Sequence, residues 1–253
     1  AMPLGSNGTV DNNRPNIRIT FADATSPVAN FGAPQAILSE DFEDAAFPPA
    51  GWLITEIAGA ETWALTTARN NTNEGAQSAV HAYSAAAEEA YLITPQITLP
   101  AGNQILLSFW SYNTWPTYYG GNSVRVSTTN TATSSFTTEV WRAPSVEEAW
   151  VKTEVDLSAY AGQDVYLAFR YEGTDAHDWF LDDIAVSSIG AAPFSMFEGE
   201  TATIYDLSTG SPSVWYWELP GSVQGESFSN KPSVTYNTAG TYDVSLTVGN
   251  TYG

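Results

Sequence analysis

Apolar and polar residues alternate with a period of two along most of this 253-residue chain, and the 3.6-residue periodicity of amphipathic helices is nearly absent. Such alternation places successive side chains on opposite faces of a β-strand. Clusters of Gly, Asn, Pro and Ser separate the alternating segments, as turns require. The strongest strand candidates are 104–112, 122–128, 149–157, 164–172, 179–187, 213–219 and 241–249. The pattern predicts an all-β protein.

One short segment, SAAAEEAY (84–91), has a composition that favours a helix. A loop that leads into the following strand, YLITPQITL, is an equal interpretation of the same residues. We leave both interpretations open.

The composition is strongly acidic, with eight Lys and Arg against 28 Asp and Glu and a formal net charge of −20. Contacts to phosphates need clustered basic residues, so the composition argues against nucleic acid and anionic membrane as partners. The chain has no cysteine, which excludes disulfides and thiolate metal sites. No apolar run approaches the roughly 18 residues of a membrane span, so we expect no membrane insertion. Acidic surfaces of this kind suit a secreted or cell-surface location.

The chain is expected to form two domains, because the alternation stops at the small residues and proline of SSIGAAPFS (187–195) and then resumes. This boundary gives a first domain at 35–189 and a second at 190–253. The opening residues 1–6, AMPLGS, are typical of a scar from tag removal. Residues 7–34 are interpreted as a linker or as an added edge strand, NIRITFA.

Two adjacent aspartates interrupt the strand candidate WFLDDIAV (179–186). Strict alternation puts Phe180, Asp182 and Ile184 on one face of the strand and Leu181 and Asp183 on the other. One carboxylate should therefore point inward, where an ionised group is costly unless a cation pairs with it. Because basic residues are so few, a divalent metal is the favoured partner.

Seven segments of the first domain occur in an order that resembles a known family. They are SEDFEDAAFPPAGW (39–52), ETW (61–63), AYLITPQITLP (90–100), LLSFWSY (106–112), VRVSTTN (124–130), VDLSAYAGQDVYLAFRYEGTD (155–175) and WFLDDIAV (179–186). This order is similar to that of the cleaved-adhesin or MAM-like (choice-of-anchor type) modules of secreted Bacteroidetes proteins. The resemblance implies a non-catalytic jelly-roll β-sandwich that is appended to a larger surface protein, with structural calcium in several members.

The second domain resembles a PKD module through three segments. They are GETATIYDLSTGSPSVWYWELPG (199–221), KPSVTYNTAGTYDVSLTVGN (231–250) and the closing TYG. The resemblance implies a smaller immunoglobulin-like sandwich of two sheets, with Trp217 as the core tryptophan. It also assigns inward positions to Tyr236, Tyr242, Val244, Leu246 and Val248. Such a domain is expected to space and stiffen the chain.

Acidic residues at the two ends of the first domain are the candidate metal ligands. In jelly rolls the first and last strands commonly lie side by side, which would bring Glu40 or Glu43 near Asp182 or Asp183. Carboxylates without His or Cys favour Ca²⁺, which accepts six to eight oxygen ligands. The loop ARNNTNEGAQS (68–78) offers Asn70, Asn71, Asn73 and Glu74 as further ligands. The alternative is that all these acids are solvated residues at a sheet edge.

Three aromatic residues, Trp115, Tyr118 and Tyr119, lie in the loop NTWPTYYGGN (113–122) between two strand candidates. Exposed rings stack on the apolar faces of sugars while polar edges bind the hydroxyls. The loop is therefore a candidate glycan-binding platform. The alternative is that the rings fold back over the edge of the sandwich or cover the neighbouring domain.

We expect no catalytic residues. The two histidines, His81 and His177, lie far apart in the sequence, and no G-x-S-x-G, HExxH or phosphate-binding glycine loop is present. The sequence predicts a non-catalytic accessory region of a secreted or surface protein, which binds a glycan or an extracellular protein and carries structural calcium. The alternative is a structural tether, in contact only with other domains of its own polypeptide, for a peptidase or glycoside hydrolase outside this sequence.

Overall fold

A computed structural model describes residues 31–71, 75–115, 121–144, 148–190 and 195–250. Most of the expected linker or edge strand at 7–34 lies outside the described residues. The described part is almost entirely β-strand and turn, with two short 3-10 helices at Thr133–Ser135 and Ser158–Tyr160. The prediction of an all-β protein is confirmed.

The chain divides into two compact units. The first unit is Ala36–Ser188, and the second contains the residues from Ile189 onward together with those up to Gln35. Each unit has its own buried apolar core.

The first unit is a sandwich of two β-sheets. One sheet has the strand order β10-β7-β12-β1, with β4 beside β12 and β3 beside β4, and the other has the order β2-β5-β11-β8-β9, with β6 beside β11. The strands are β1 (Phe31–Glu40), β2 (Leu53–Ala58), β3 (Trp63–Thr66), β4 (Ser78–His81), β5 (Ser84–Ile93), β6 (Ile97–Thr98), β7 (Gln104–Asn113), β8 (Ser123–Ser127), β9 (Thr138–Arg142), β10 (Val151–Asp156), β11 (Asp164–Ala176) and β12 (Trp179–Gly190).

Both sheets contribute side chains to one core, as a sandwich requires. Phe109 of β7 and Phe169 of β11 meet edge to face between the sheets, with ring centroids 5.3 Å apart. Trp63 and Trp179 join them from the first sheet and are fully buried. The alternation in these strands is therefore the sequence signature of one buried face in each sheet.

The segment 84–91, for which a helix or a loop was expected, is instead the greater part of strand β5. It lies between β2 and β11 and pairs with both in antiparallel register. Alanine and glutamate disfavour strands, but a central position gives the segment partners for its backbone groups on both sides. Tertiary pairing therefore overrides the local helical preference.

The second unit is a smaller sandwich. Its strands are β13 (Thr201–Thr203), β14 (Tyr205–Asp206), β15 (Val214–Leu219), β16 (Gly225–Ser227), β17 (Ser233–Thr235) and β18 (Ser245–Gly249). Strand β13 pairs with β17, β15 lies between β16 and β18, and β14 pairs with the first residues of β1.

Trp217 is the centre of the second core. It is fully buried, its indole N–H donates to the carbonyl of Ser229 at 2.7 Å, and Phe31 packs edge-on against it at 5.2 Å. Tyr236, Val244 and Leu246 are buried in the same cluster. The fold class, a jelly-roll sandwich followed by a smaller immunoglobulin-like sandwich, is confirmed.

Candidate ligand and metal sites

The two aspartates of β12 lie at a break in the alternation of the strand. Trp179 and Leu181 point into the first core before the break, and Ile184 and Val186 point into it afterwards. Asp183 has a left-handed backbone conformation with φ of 47°, which shifts the alternation by one residue. The expectation that Phe180 shares a face with Ile184 is therefore wrong.

Phe180 packs instead in an aromatic cluster outside that core. Its ring contacts those of Tyr112 and Trp150, and the Arg69 guanidinium lies 4.2 Å from the Tyr112 ring centroid. Trp150 is half-buried in this cluster. Apolar side chains thus line the strand on both faces before the break, and hydrophobicity alone does not show which face is the core.

Asp182 and Asp183 hold the segment that follows β3. Asp182 is only 2% exposed, and its carboxylate accepts the backbone N–H of Asn71 at 2.8 Å and that of Asp183 at 2.9 Å. The Asn71 amide donates to Asp183 at 3.0 Å. Glu43 accepts the backbone N–H groups of Ala76 at 2.8 Å and Gln77 at 3.0 Å.

Three of the four candidate acids, Glu43, Asp182 and Asp183, interact electrostatically. The pKa of Asp182 is raised to about 6, chiefly by burial and also by the charges of Asp183 and Glu43, while the hydrogen bonds from the backbone N–H groups of Asn71 and Asp183 oppose the rise. Repulsion of this kind favours a cation in the cluster, and the oxygen donors suit Ca²⁺. Glu43 thus lies within electrostatic range of Asp182.

Glu40 lies in a different environment. Its carboxylate accepts the backbone N–H of Phe42 at 2.8 Å, and the carboxylates that act on it are Asp41 and Asp44. Burial is the main cause of its raised pKa. Among the described residues, which omit Asn73 and Glu74, no three His, Asp or Glu side chains are arranged to hold a metal ion.

Trp115 is the described member of the predicted aromatic platform, and Tyr118 and Tyr119 lie outside the described residues. It is 58% exposed, and its ring stacks on His177 with centroids 5.7 Å apart. Tyr83, which is 44% exposed, packs on the same imidazole with ring centroids 4.9 Å apart. We call Trp115, His177 and Tyr83 the aromatic platform.

Two carboxylates border the aromatic platform. Asp175 accepts the Tyr83 hydroxyl at 2.9 Å, and Asp178 accepts the Tyr83 backbone N–H at 2.8 Å. Neither His177 nor Tyr83 was among the ligand-binding candidates in the sequence. The sequence GTDAHDW (173–179) carried the signal, since it places a histidine between two acids just before β12.

The histidines occupy unrelated environments. His81 is buried and stacks on Tyr171 with ring centroids 3.8 Å apart, while His177 belongs to the aromatic platform. Burial lowers the pKa of His81, although the nearby charge of Glu88 opposes this. The contacts of the His81 ring with Tyr171, Trp63 and the backbone carbonyl of Ala82 are those of a packed structural histidine.

Two relatives and three solved structures show what the chain is similar to. Two proteins named Hemagglutinin A from Porphyromonas gingivalis, one of them from strain W83, are 33% and 31% identical over 187 and 185 residues. The alignments cover 62% of this chain and 8% and 7% of those proteins, so the chain spans less than a tenth of their length.

The solved structures include two cleaved adhesin domains of Lys-gingipain from Porphyromonas gingivalis W83. The K3 domain is 26% identical with a TM-score of 0.47, covering 61% of this chain and 98% of that one. The K1 domain is 20% identical with a TM-score of 0.49, covering 60% and 98%. The carbohydrate-binding module TmCBM61, solved with β-1,4-galactotriose, is 17% identical with a TM-score of 0.44, covering 60% and 97%.

No helix in the described residues is long and apolar enough to span a membrane.

Family models match both parts of the chain. Residues 189–253 match the PKD domain. Because residues 35–186 match the Cleaved Adhesin Domain, the chain belongs to that family, with a PKD domain following the adhesin domain.

Proposed function

We propose that this chain is a non-catalytic adhesion region of a secreted or cell-surface protein, and that its first domain binds glycan through the aromatic platform. The observation that carries the proposal is the exposure of Trp115, at 58%, beside a second exposed ring, Tyr83. Membership in an adhesin family and relatives named Hemagglutinin A support a binding role.

The chemistry of the platform suits a sugar. Indole and phenol rings offer flat apolar faces to the C–H groups of a pyranose, and the neighbouring Asp175 and Asp178 provide acceptors for its hydroxyls. The packing of Trp115 and Tyr83 on His177 holds both rings in place, which lowers the entropic cost of binding.

The test is a glycan array followed by affinity measurement on a double variant, Trp115→Ala with Tyr83→Ala. We expect glycan binding to weaken roughly tenfold or more, because each stacked ring contributes about 0.5–1.5 kcal/mol beyond its buried area. The matched control is Leu53→Ala with Ile57→Ala, since these side chains on β2 are also exposed, at 46% and 51%. The control should bind as the unmodified protein does.

Three outcomes would overturn the glycan proposal. An empty array, together with a pull-down from host-cell surfaces that retains nothing, favours the structural tether for a catalytic domain elsewhere in the polypeptide. Capture of a surface protein that depends on Trp115 and Tyr83 makes the ligand a protein. A large loss of stability in the double variant, with no bound ligand to lose, assigns the rings to packing.

We also propose that Glu43, Asp182 and Asp183 contribute to a structural Ca²⁺ site, with Glu40 outside its inner ligands. The buried Asp182 carboxylate and its two acidic neighbours support this proposal. Backbone carbonyls and the Asn71 side-chain oxygen would complete the shell, as Ca²⁺ sites commonly require. Bound Ca²⁺ would offset the repulsion among the three acids and fix the segment after β3.

Calcium removal tests this site. EDTA should lower the midpoint of thermal unfolding, and added Ca²⁺ should restore it. At a free Ca²⁺ concentration a hundred times the dissociation constant, binding raises the free energy of unfolding by about 2.7 kcal/mol. Asp183→Asn should lose most of this response. The control is Asp44→Asn, an exposed acid near Glu40, which should keep it. An unfolding midpoint that ignores EDTA and Ca²⁺ in the unmodified protein would refute the site.

A further inference from the structure

The second unit exposes one face of the sheet formed by β16, β15 and β18. Trp217 and Leu219 of β15 point into the core, so Val214, Tyr216 and Glu218 point outward. The outward-pointing side chains of these three strands do not belong to the core. We call this surface the outer face.

Apolar and aromatic side chains cluster on the outer face. Strands β15 and β16 pair antiparallel, with Trp217 opposite Ser227. Phe228 follows Ser227, and the same register therefore places it opposite Tyr216. The two rings lie 5.4 Å apart. Phe228 is 66% exposed, and Val214, two residues before Tyr216 on β15, is 59% exposed. Single exposed apolar residues are ordinary, but neighbouring ones on one flat face indicate a binding surface.

Two carboxylates lie beside these rings. Glu218 faces Glu226 directly in the register of β15 and β16, and like charges in such positions destabilise a sheet. Glu218 accepts the hydroxyl of Ser245 at 2.6 Å, and Glu226 accepts the hydroxyl of Tyr216 at 3.5 Å. The ion pairs of Arg125, Arg142 and Arg170 lie in the first unit.

Charge complementarity selects the occupant. The outer face combines two aromatic rings with two facing carboxylates in a chain of net charge −20. A guanidinium or ammonium group over a ring gains a cation–π interaction and at the same time pairs with a carboxylate. Anionic partners are repelled, and a neutral sugar, although its hydroxyls can donate to carboxylates, carries no charge to offset the repulsion between Glu218 and Glu226.

We infer that the outer face binds a cationic, partly apolar segment of a partner protein, with Lys or Arg at Glu218 and Glu226 and apolar groups on Tyr216 and Phe228. The PKD domain is then a second binding surface of the adhesin and not only a spacer. This inference does not depend on glycan binding by the first domain, because it uses no residue of the aromatic platform.

Three fluorescent peptides of equal length serve as probes: (Lys-Val)4, (Ser-Val)4 and (Glu-Val)4. The Lys peptide should bind the full chain, and the Ser and Glu peptides should bind at least tenfold more weakly. Binding of the Lys peptide should weaken as NaCl rises from about 0.05 to 0.5 M, because salt screens exposed charges.

Two double variants locate the binding surface. Glu218→Gln with Glu226→Gln should weaken Lys-peptide binding roughly tenfold and flatten its salt dependence, while Gln retains an acceptor for Ser245. Tyr216→Ser with Phe228→Ser should weaken it to a similar extent.

The controls replace residues of the same unit that lie outside the outer face. Phe197→Ser with Val223→Ser removes side chains that are 84% and 62% exposed, and Glu198→Gln removes an exposed acid. All of these should bind the Lys peptide as the unmodified chain does. Unfolding midpoints show which variants remain folded.

The inference fails if no peptide binds at millimolar concentration, or if the Ser peptide binds as tightly as the Lys peptide. It also fails if the controls reduce binding as much as the outer-face variants. Sedimentation that shows a dimer dependent on Tyr216 and Phe228 would make the occupant a second copy of this chain. Retention on an array of neutral glycans that depends on the same rings would make it a sugar.

Discussion

A buried histidine makes the first domain sensitive to acid. His81 is fully buried, stacked on Tyr171 and packed edge-on against Trp63. Burial disfavours the charged imidazolium and lowers the pKa of His81 below its ordinary value. The stabilising contribution of the neutral ring is therefore complete above the unfolded-state pKa of about 6.5 and is lost as the pH falls towards the folded-state pKa.

His81→Phe tests this behaviour, because phenylalanine keeps an aromatic ring on Tyr171 but does not titrate. Between pH 7.5 and 5.5 the unfolding midpoint of the variant should fall less than that of the unmodified protein. Trp63→Phe, which alters the same cluster without changing a titratable group, should retain the full acid dependence. Equal acid sensitivity in the His81 variant would show that the imidazole is not responsible.

In strand β12, the left-handed backbone conformation of Asp183 changes which residues point into the core, from odd-numbered positions before it to even-numbered positions after it. Residues with a Cβ are strained in this conformation by about 1–2 kcal/mol relative to glycine. We expect Asp183→Gly to be more stable than Asp183→Ala by about 1 kcal/mol. Both variants lose the contact to Asn71, so their difference reports on the backbone.

Ala185→Gly is the matched control on the same strand. Glycine within an ordinary strand is destabilising by about 0.5–1 kcal/mol relative to alanine, so the preference should reverse at this position. Chemical denaturation of all three variants measures the free energy of unfolding. A preference for alanine at both positions would contradict a conformational role for Asp183.

At the scale of the whole molecule, the two separate cores predict separate unfolding. Calorimetry of the unmodified chain should show two transitions, one for each unit. Trp217→Ala should destabilise the second unit by about 3–5 kcal/mol, because it removes a fully buried aromatic side chain, and should leave the other transition in place.

Val223→Ala is the control for this experiment, since Val223 lies in the same unit but is largely exposed. It should leave both transitions nearly unchanged. A silent Trp217→Ala, or an equal shift of both transitions, would contradict an independent second core built on Trp217.

The sequence by itself determined the all-β class and the positions of most of the long strands. Strands β7, β8, β10, β11, β12, β15 and β18 each fall on a segment with alternating hydrophobicity. The physical reason is that burial of one face of a strand requires apolar residues at every second position, and this pattern is visible within a short segment of sequence. Trp217 was identified differently, through the resemblance of its segment to a PKD module.

Only the tertiary structure decided the features that depend on distant partners. β5 is a strand because β2 and β11 flank it, although its own residues favour a helix. Asp183 shifts the face of β12 through a backbone conformation that alternation does not encode. The aromatic platform unites Trp115, Tyr83 and His177 across some 60 to 90 residues of sequence, and the outer face depends on the register of β15 and β16. Contacts of this kind arise from strand pairing between remote segments, and the local pattern of a sequence carries no record of which strands will pair.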